Sequence, residues 1–215
     1  METVTPTHHN LLDGPAHVTE PSAVTDPLAQ LDLLTPAALS PEQEAAYSTA
    51  IAFASERHAG QLRKGSRTPF VVHPREAAAL LAACYPDRSF LVTSGFLHDV
   101  LEDTRTRREE LEERFGPEVA RLVVAVTKRW WQVPWRLDVD DPDVVRLKAA
   151  DCASNIRQTI VDLRQEGPGV WRRFKGGERT KRDYYRRLTA RIGGCLPDEP
   201  LVRRLLELEV LLESA

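Results

Sequence analysis

Residues 98–103 read His98-Asp99-Val100-Leu101-Glu102-Asp103, so one imidazole and three carboxylates follow the apolar stretch Phe90–Leu97. That stretch is apolar nearly all round, which predicts a buried helix with the acids in its last turns. Asp99 would then face Glu102 and Asp103 three and four positions on, at a cost of about 0.2–0.5 kcal/mol per like-charged pair. Anions near a helix C-terminus also oppose the macrodipole, and burying them unpaired would cost far more. A bound cation removes all three objections. The run therefore predicts half of a metal site, with Glu102 and Asp103 as acids beside it.

Helical periodicity points to the other half. From Asp141-Pro142, an N-cap with proline at the first helical position, residues Val145, Ala149, Cys152, Ile156, Ile160 and Leu163 form a core stripe. A second stripe holds Val144, Lys148, Asp151, Asn155 and Asp162, with Asp151 and Asn155 one turn apart. Asp151 is the expected fourth ligand. His73 precedes Pro74 in Val72-His73-Pro74-Arg75-Glu76, which puts it at the mouth of a helix.

Of the chain's 6 histidines, His8, His9 and His17 lie near the N-terminus and none follows His98. A site can draw only on His58, His73 and His98, which argues against two-metal phosphohydrolases that need several imidazoles. His58 shares the stripe Tyr47, Ile51, Ala54, so it is read as a core residue. His73, His98, Asp99 and Asp151 remain around one ion. Mixed nitrogen and oxygen ligation suits a divalent first-row metal, manganese first, with iron or zinc as alternatives.

Several ordered motifs carry a resemblance. They are Ala54-Ser55-Glu56-Arg57-His58-Ala59-Gly60-Gln61-Leu62-Arg63-Lys64-Gly65, Pro69-Phe70-Val71-Val72-His73-Pro74, Leu97 to Thr104, Phe115-Gly116, Val126-Thr127-Lys128, and Lys148-Ala149-Ala150-Asp151 with Asn155. From about Ser40 to Gln165 the chain resembles the hydrolase domain of RelA/SpoT-type alarmone enzymes, within the HD superfamily. The resemblance implies Mn²⁺-dependent removal of the 3′-pyrophosphate from guanosine tetraphosphate and pentaphosphate (ppGpp and pppGpp). It implies the same four ligands, Glu102 and Asp103 as the pair that activates water, and Arg63, Lys64, Lys148 and Asn155 as substrate-binding residues. A stand-alone small alarmone hydrolase is expected, since 215 residues leave no room for the synthetase and regulatory modules of long relatives.

Three departures bear on the substrate. The family's Asp-Arg-Leu-x-Asn is here Asp151-Cys152-Ala153-Ser154-Asn155, a small polar residue common three positions after the asparagine is Gln158, and residues 129–139 carry no recognised motif. The alternatives are a related nucleotide, such as an adenosine alarmone or the 2′-phosphate of NADPH, and a non-catalytic nucleotide sensor on the same fold.

Composition fits one domain with a tail. Residues 1–39 contain Glu2, Asp13, Glu20, Asp26 and Asp32, no Lys or Arg, and five prolines, a composition that buries too little to repay its ordering entropy. They are read as a flexible tail, with a short helix near Leu28–Leu34. Residues 40–215 form the HD-type phosphohydrolase domain, an all-α helical bundle with a single-metal site in its core. Its helices are expected from the capping box Ser40-Pro41-Glu42-Gln43, from Pro74, about Asp87, Thr106 (with Glu109), Pro117 and Pro142, then over 178–192 and 200–212. Thr68–Val72 reads as a short extended piece.

A formal charge of −3 implies no general affinity for nucleic acid or membranes. No apolar run approaches the ~18–20 residues of a membrane span. The 3 cysteines, Cys84, Cys152 and Cys195, leave an odd thiol, as in a reducing cytosol, and the N-terminus lacks a secretory signal's basic start. A cytoplasmic protein acting on a small nucleotide is expected, its oligomeric state open. The nine Lys and Arg between Trp171 and Arg191 read as a solvated face or, for Lys175, Arg179 or Lys181, as contacts to substrate phosphates. Trp130, Trp131 and Trp135 read as core packing, a lid or an oligomer contact.

Overall fold

The computed structural model describes residues 32–127 and 140–215. Among them the chain is helical: α1 (Pro41–Ala46), α2 (Ser48–Arg57), α3 (Val72–Cys84), α4 (Ser89–Leu97), α5 (Val100–Asp103), α6 (Arg108–Phe115), α7 (Pro117–Val126), α8 (Pro142–Glu166), a 3₁₀ segment (Gly167–Arg173), α9 (Gly177–Cys195) and α10 (Pro200–Glu213). The extended piece at 68–72 is reduced to a single bridge between Leu62 and Pro69, because Val72 already starts α3. No helix among the described residues is long and apolar enough to cross a membrane. Residues 1–31 and the Trp130–Trp135 cluster lie outside the described residues.

Helix α8 runs through the middle and packs against α3, α4, α7, α9 and α10. Its start follows from local chemistry: the Asp141 side chain accepts from the backbone amides of Asp143 at 3.0 Å and Val144 at 3.4 Å, ahead of Pro142. The core stripe of Val145, Ala149, Cys152, Ile156, Ile160 and Leu163 is buried as its spacing predicts. Ser40 and Gln43 form the expected capping box at α1. The second expected box is absent. Thr106 Oγ1 pairs with Thr104 Oγ1 at 2.8 Å, and α6 starts two residues later without a side-chain cap.

Two further readings are corrected. Residues 32–39 are not part of a free tail: Leu33 is buried in the core, Arg204 donates to the carbonyl of Asp32 at 2.9 Å, and Arg157 donates to that of Leu34 at 3.3 Å. The acids at 98–103 do not end one long helix either. α4 stops at Leu97, and Asp99 is the N-cap of α5, its backbone carbonyl accepting from the amides of Glu102 at 3.1 Å and Asp103 at 2.9 Å with no side-chain cap. Glu102 and Asp103 thus sit in a first turn, where carboxylates do not oppose the backbone dipoles.

Helices α3 and α4 meet at Gly95. A Cβ built there would stand 2.8 Å from Ala78 Cα and 3.0 Å from Ala78 N. This backbone contact sets the spacing between His73, at the start of α3, and His98, just beyond α4. Gly95→Ala must push the helices apart, and overpacking of this kind costs about 1–3 kcal/mol. Urea denaturation should show that loss. Stability equal to that of the unaltered protein would mean the two helices are not locked there.

Candidate metal centre

Three segments bring the predicted donors together. His73 lies in the first turn of α3, His98 and Asp99 occupy the break between α4 and α5, and Asp151 lies on α8. The two imidazole Nε2 atoms are 3.1 Å apart. Asp99 Oδ2 is 3.4 Å from His73 Nε2 and 3.1 Å from His98 Nε2, while Asp151 Oδ1 is 3.2 Å and 3.7 Å from the same atoms. Donors sharing one first-row ion at about 2.1 Å stand roughly 3.0–3.4 Å apart. His73, His98 and Asp99 by themselves make a group of the right size to hold a metal ion.

Tautomers test the fit. His98 Nδ1 donates to the carbonyl of Gly95 at 2.8 Å. His73 Nδ1 is 2.9 Å from Ser154 Oγ, whose own proton goes to Glu76 Oε2 at 2.9 Å, so Nδ1 is the donor to Ser154. In the neutral rings both Nε2 lone pairs then face each other, between two carboxylates, and a positive charge must lie among them. Burial pulls the His98 pKa down, but Asp99 and Asp151 outweigh it and push it up to about 10, so without a metal a proton supplies that charge. Burial lowers the pKa of His73 and keeps it neutral. Burial raises the carboxyl pKa values of Asp99 and Asp151, yet His98 beside the first and Lys148 beside the second bring both net below the ordinary range. Two neutral imidazole nitrogens and two carboxylates suit a divalent cation.

An open cavity borders this group. His73, Asp99 and Asp151 line its floor, with Glu102 and Asp103 at one side. Arg63, Lys64 and Asn155 line it too, Arg63 donating to Asn155 Oδ1 at 2.8 Å and Asn155 to Asp151 Oδ1 at 2.6 Å. Gly65, at φ +71°, lets the turn after Lys64 lie against Arg173, where any Cβ would clash. Lys148 is placed elsewhere. It is buried outside the cavity lining with its ammonium on Asp151 Oδ2 at 2.6 Å, and although burial opposes its charge, Asp151 holds its pKa well above the ordinary range. Its position is that of a partner to Asp151 and not of a substrate contact.

Of the basic residues in 171–191, Lys181 lines the cavity, its Nζ 4.2 Å from the Tyr185 ring centroid and 4.7 Å from that of Tyr184. Arg179 faces a separate depression with Arg182 and Arg186, and Lys175 does not line the cavity. His58 is buried against Phe70, with Nδ1 2.8 Å from Gln61 Oε1, and Gln61 Nε2 donates to the Asp103 carbonyl at 2.9 Å. The core histidine thereby steadies the acidic turn. Sequence reasoning missed that link, and also Glu76, Ser154 and Arg157 behind His73. The one available signal was a single acid, Glu76, directly before the apolar run Ala77–Cys84 of α3.

Comparison with known proteins agrees with this arrangement. Residues 50–133 match the HD domain family. A guanosine-3′,5′-bis(diphosphate) 3′-pyrophosphohydrolase of Aquifex aeolicus is 34% identical over 138 residues, covering 59% of this chain and 19% of that protein. A GTP pyrophosphokinase of Myxococcus xanthus is 49% identical over 79 residues, covering 37% of this chain and 10% of its own length. This chain thus spans a fifth or less of these relatives. Among solved structures, one described as a metazoan ortholog of SpoT that hydrolyzes ppGpp superposes with a TM-score of 0.63 at 27% identity, covering 80% of this chain and 96% of that one. A Listeria monocytogenes protein gives a TM-score of 0.57 at 27% identity, over 64% of this chain and 96% of its own. With the ordered motifs and the helical site, these likenesses show an HD-domain match over residues 50–133 and a fold similar to that of the solved SpoT ortholog.

Proposed function

We propose that this domain removes the 3′-pyrophosphate of guanosine tetraphosphate and pentaphosphate, yielding GDP or GTP and pyrophosphate, with one Mn²⁺ held by His73, His98, Asp99 and Asp151. The observation that carries the reading is the meeting, in one cavity, of three of those donors, His73, Asp99 and Asp151, with an acid pair and three cations, Arg63, Lys64 and Lys181. The relatives named for this hydrolysis support it. When bound, such an ion would polarise a phosphoryl oxygen and lower the pKa of water.

The chain's own groups supply the rest. Glu102 or Asp103 accepts a proton as a water oxygen bonds to the phosphorus carried by O3′. The P–O3′ bond breaks, O3′ takes up a proton, and pyrophosphate leaves. Arg63, already oriented by Asn155, suits bidentate contact with a phosphate. Lys64 and Lys181, which also line the cavity, offset the remaining charge. The reading as a sensor is less apt, since a binder gains nothing from carboxylates beside an anionic ligand. Cys152 and Gln158 both line the cavity and keep one second reading in play, a related nucleotide such as an adenosine alarmone or NADPH. A nucleotide substrate and three cysteines without disulfides suit the cytoplasm.

Substrate profiling with Mn²⁺ tests the assignment. Pyrophosphate release from ppGpp is expected, chelation of the metal should abolish it, and return of Mn²⁺ should restore it. Orthophosphate release from NADPH with ppGpp untouched would transfer the assignment to the second reading. Glu102→Gln should bind Mn²⁺ as before and lose about 10²–10⁴-fold in kcat. Full activity in that variant would remove Glu102 from the mechanism. Lys181→Ala should raise KM about tenfold through a lost charged contact, whereas Arg179→Ala, outside the cavity, should leave KM unchanged. The reverse pattern would place the phosphates on the other face of α9.

A further inference from the structure

His73 heads a buried chain of four side chains drawn from two helices, α3 and α8. Arg157 Nη2 donates to Glu76 Oε2 at 2.7 Å, and Arg157 Nε donates to Glu76 Oε1. Ser154 Oγ donates to the same Glu76 Oε2 at 2.9 Å, and His73 Nδ1 meets Ser154 Oγ at 2.9 Å. Glu76, Ser154 and Arg157 are all buried, and none of them lines the cavity. They stand behind the lining, almost wholly shielded from solvent.

Each proton in this chain has one possible place. A guanidinium has only donors, and the carboxylate paired with it has only acceptors. The single hydroxyl proton of Ser154 is therefore spent on Glu76. Ser154 can only accept from the imidazole, so the His73 proton resides on Nδ1 and the Nε2 lone pair faces Asp99, Asp151 and His98. A serine with no carboxylate behind it could turn its proton to Nδ1 and stabilise the opposite tautomer, whose Nε2–H cannot ligate.

We propose that Ser154, with its proton direction fixed by the buried Glu76–Arg157 pair, is a positioning residue that holds His73 in its metal-ligating tautomer. This rests on the reading of His73 as a ligand. The helical repeat makes the chain possible: Glu76 follows His73 by three residues, and Ser154 and Arg157 follow Asp151 by three and six. The same two turns that present the ligands thus present their support on the adjacent face. Partners that hold the second nitrogen of a ligating histidine commonly account for about 10–100-fold in metal affinity.

Calorimetric titration of the whole chain with Mn²⁺ separates the two claims. If the unaltered protein does not bind Mn²⁺, or His73→Ala binds it equally well, the ligand assignment itself fails. If the unaltered protein binds and His73→Ala does not, Ser154→Ala should bind about 10–100-fold more weakly, and Ser154→Thr, which keeps the hydroxyl, should recover most of that loss. Affinity within twofold of the unaltered protein for Ser154→Ala would overturn the proposal and leave the ligand set standing. A second measurement needs no variant. In the metal-free protein, imidazole ¹⁵N resonances should show His73 protonated at Nδ1 and bare at Nε2, and the opposite tautomer would overturn the proposal.

Discussion

Two imidazole nitrogens 3.1 Å apart, each with its ring's other nitrogen committed to a hydrogen bond, constrain everything around them. Neither ring can turn away without abandoning a buried partner, and neither lone pair can face the other unless positive charge lies between. Asp99 and Asp151 raise that demand, because two carboxylates in a mostly buried setting need more than one proton to balance them. The protein meets part of the demand with Lys148 on Asp151 Oδ2. It leaves the remainder on the side facing the cavity. A cation-seeking centre therefore arises from the fixed orientation of neutral groups as much as from the acids themselves.

The helical repeat distributes these roles with little extra chain. On α8, Lys148 supports Asp151 from one turn before, Asn155 donates to it from one turn after, and Arg63 donates to Asn155 in turn. The cavity wall that carries the guanidinium is thus tied through a single amide to a metal-facing carboxylate. Arg173 closes the other side of that loop, pressed against Gly65 and held at 2.8 Å by Asp162, which is itself bonded to Gln158. Arg63 is thus tied to the same long helix that carries Asp151. A change at Asn155 would therefore disturb Arg63 and Asp151 together.

Much of this was legible before any coordinates. Asp151 was placed by periodicity, because a 25-residue helix repeats faithfully enough for three- and four-residue offsets to predict a shared face. His73 was found because proline marks a helix start. The helix break at His98-Asp99 was not legible, since Phe90–Leu97 and Val100-Leu101 are apolar on both sides and no glycine or proline separates them. Lys148 was misplaced by a motif, which gives order along the chain but not depth. Ser154, Glu76 and Arg157 were invisible for a related reason: each looks ordinary alone, and only the packing of α3 on α8 makes them consecutive. Leu33 was hidden by the proline-rich, acidic sequence around it, although one buried leucine and two arginines reaching backbone carbonyls suffice to dock residues 32–39.

The departure at Cys152 changes how the cavity distributes charge. A basic residue there, as in the resembled motif, would stand on α8 directly beside Asp151 and bring a cation to the floor. Here a buried thiol and the Tyr185 ring line that part of the wall, and the phenol is pushed well above its ordinary pKa by burial, so it carries no charge of its own. The positive groups that line the cavity are instead Arg63, Lys64 and, from α9, Lys181. Lys181 lies near the rings of Phe174, Tyr184 and Tyr185, whose faces favour an ammonium ion without neutralising it. A basic residue at position 152 would add a second cation near Asp151, where the Lys148 ammonium already stands at 2.6 Å.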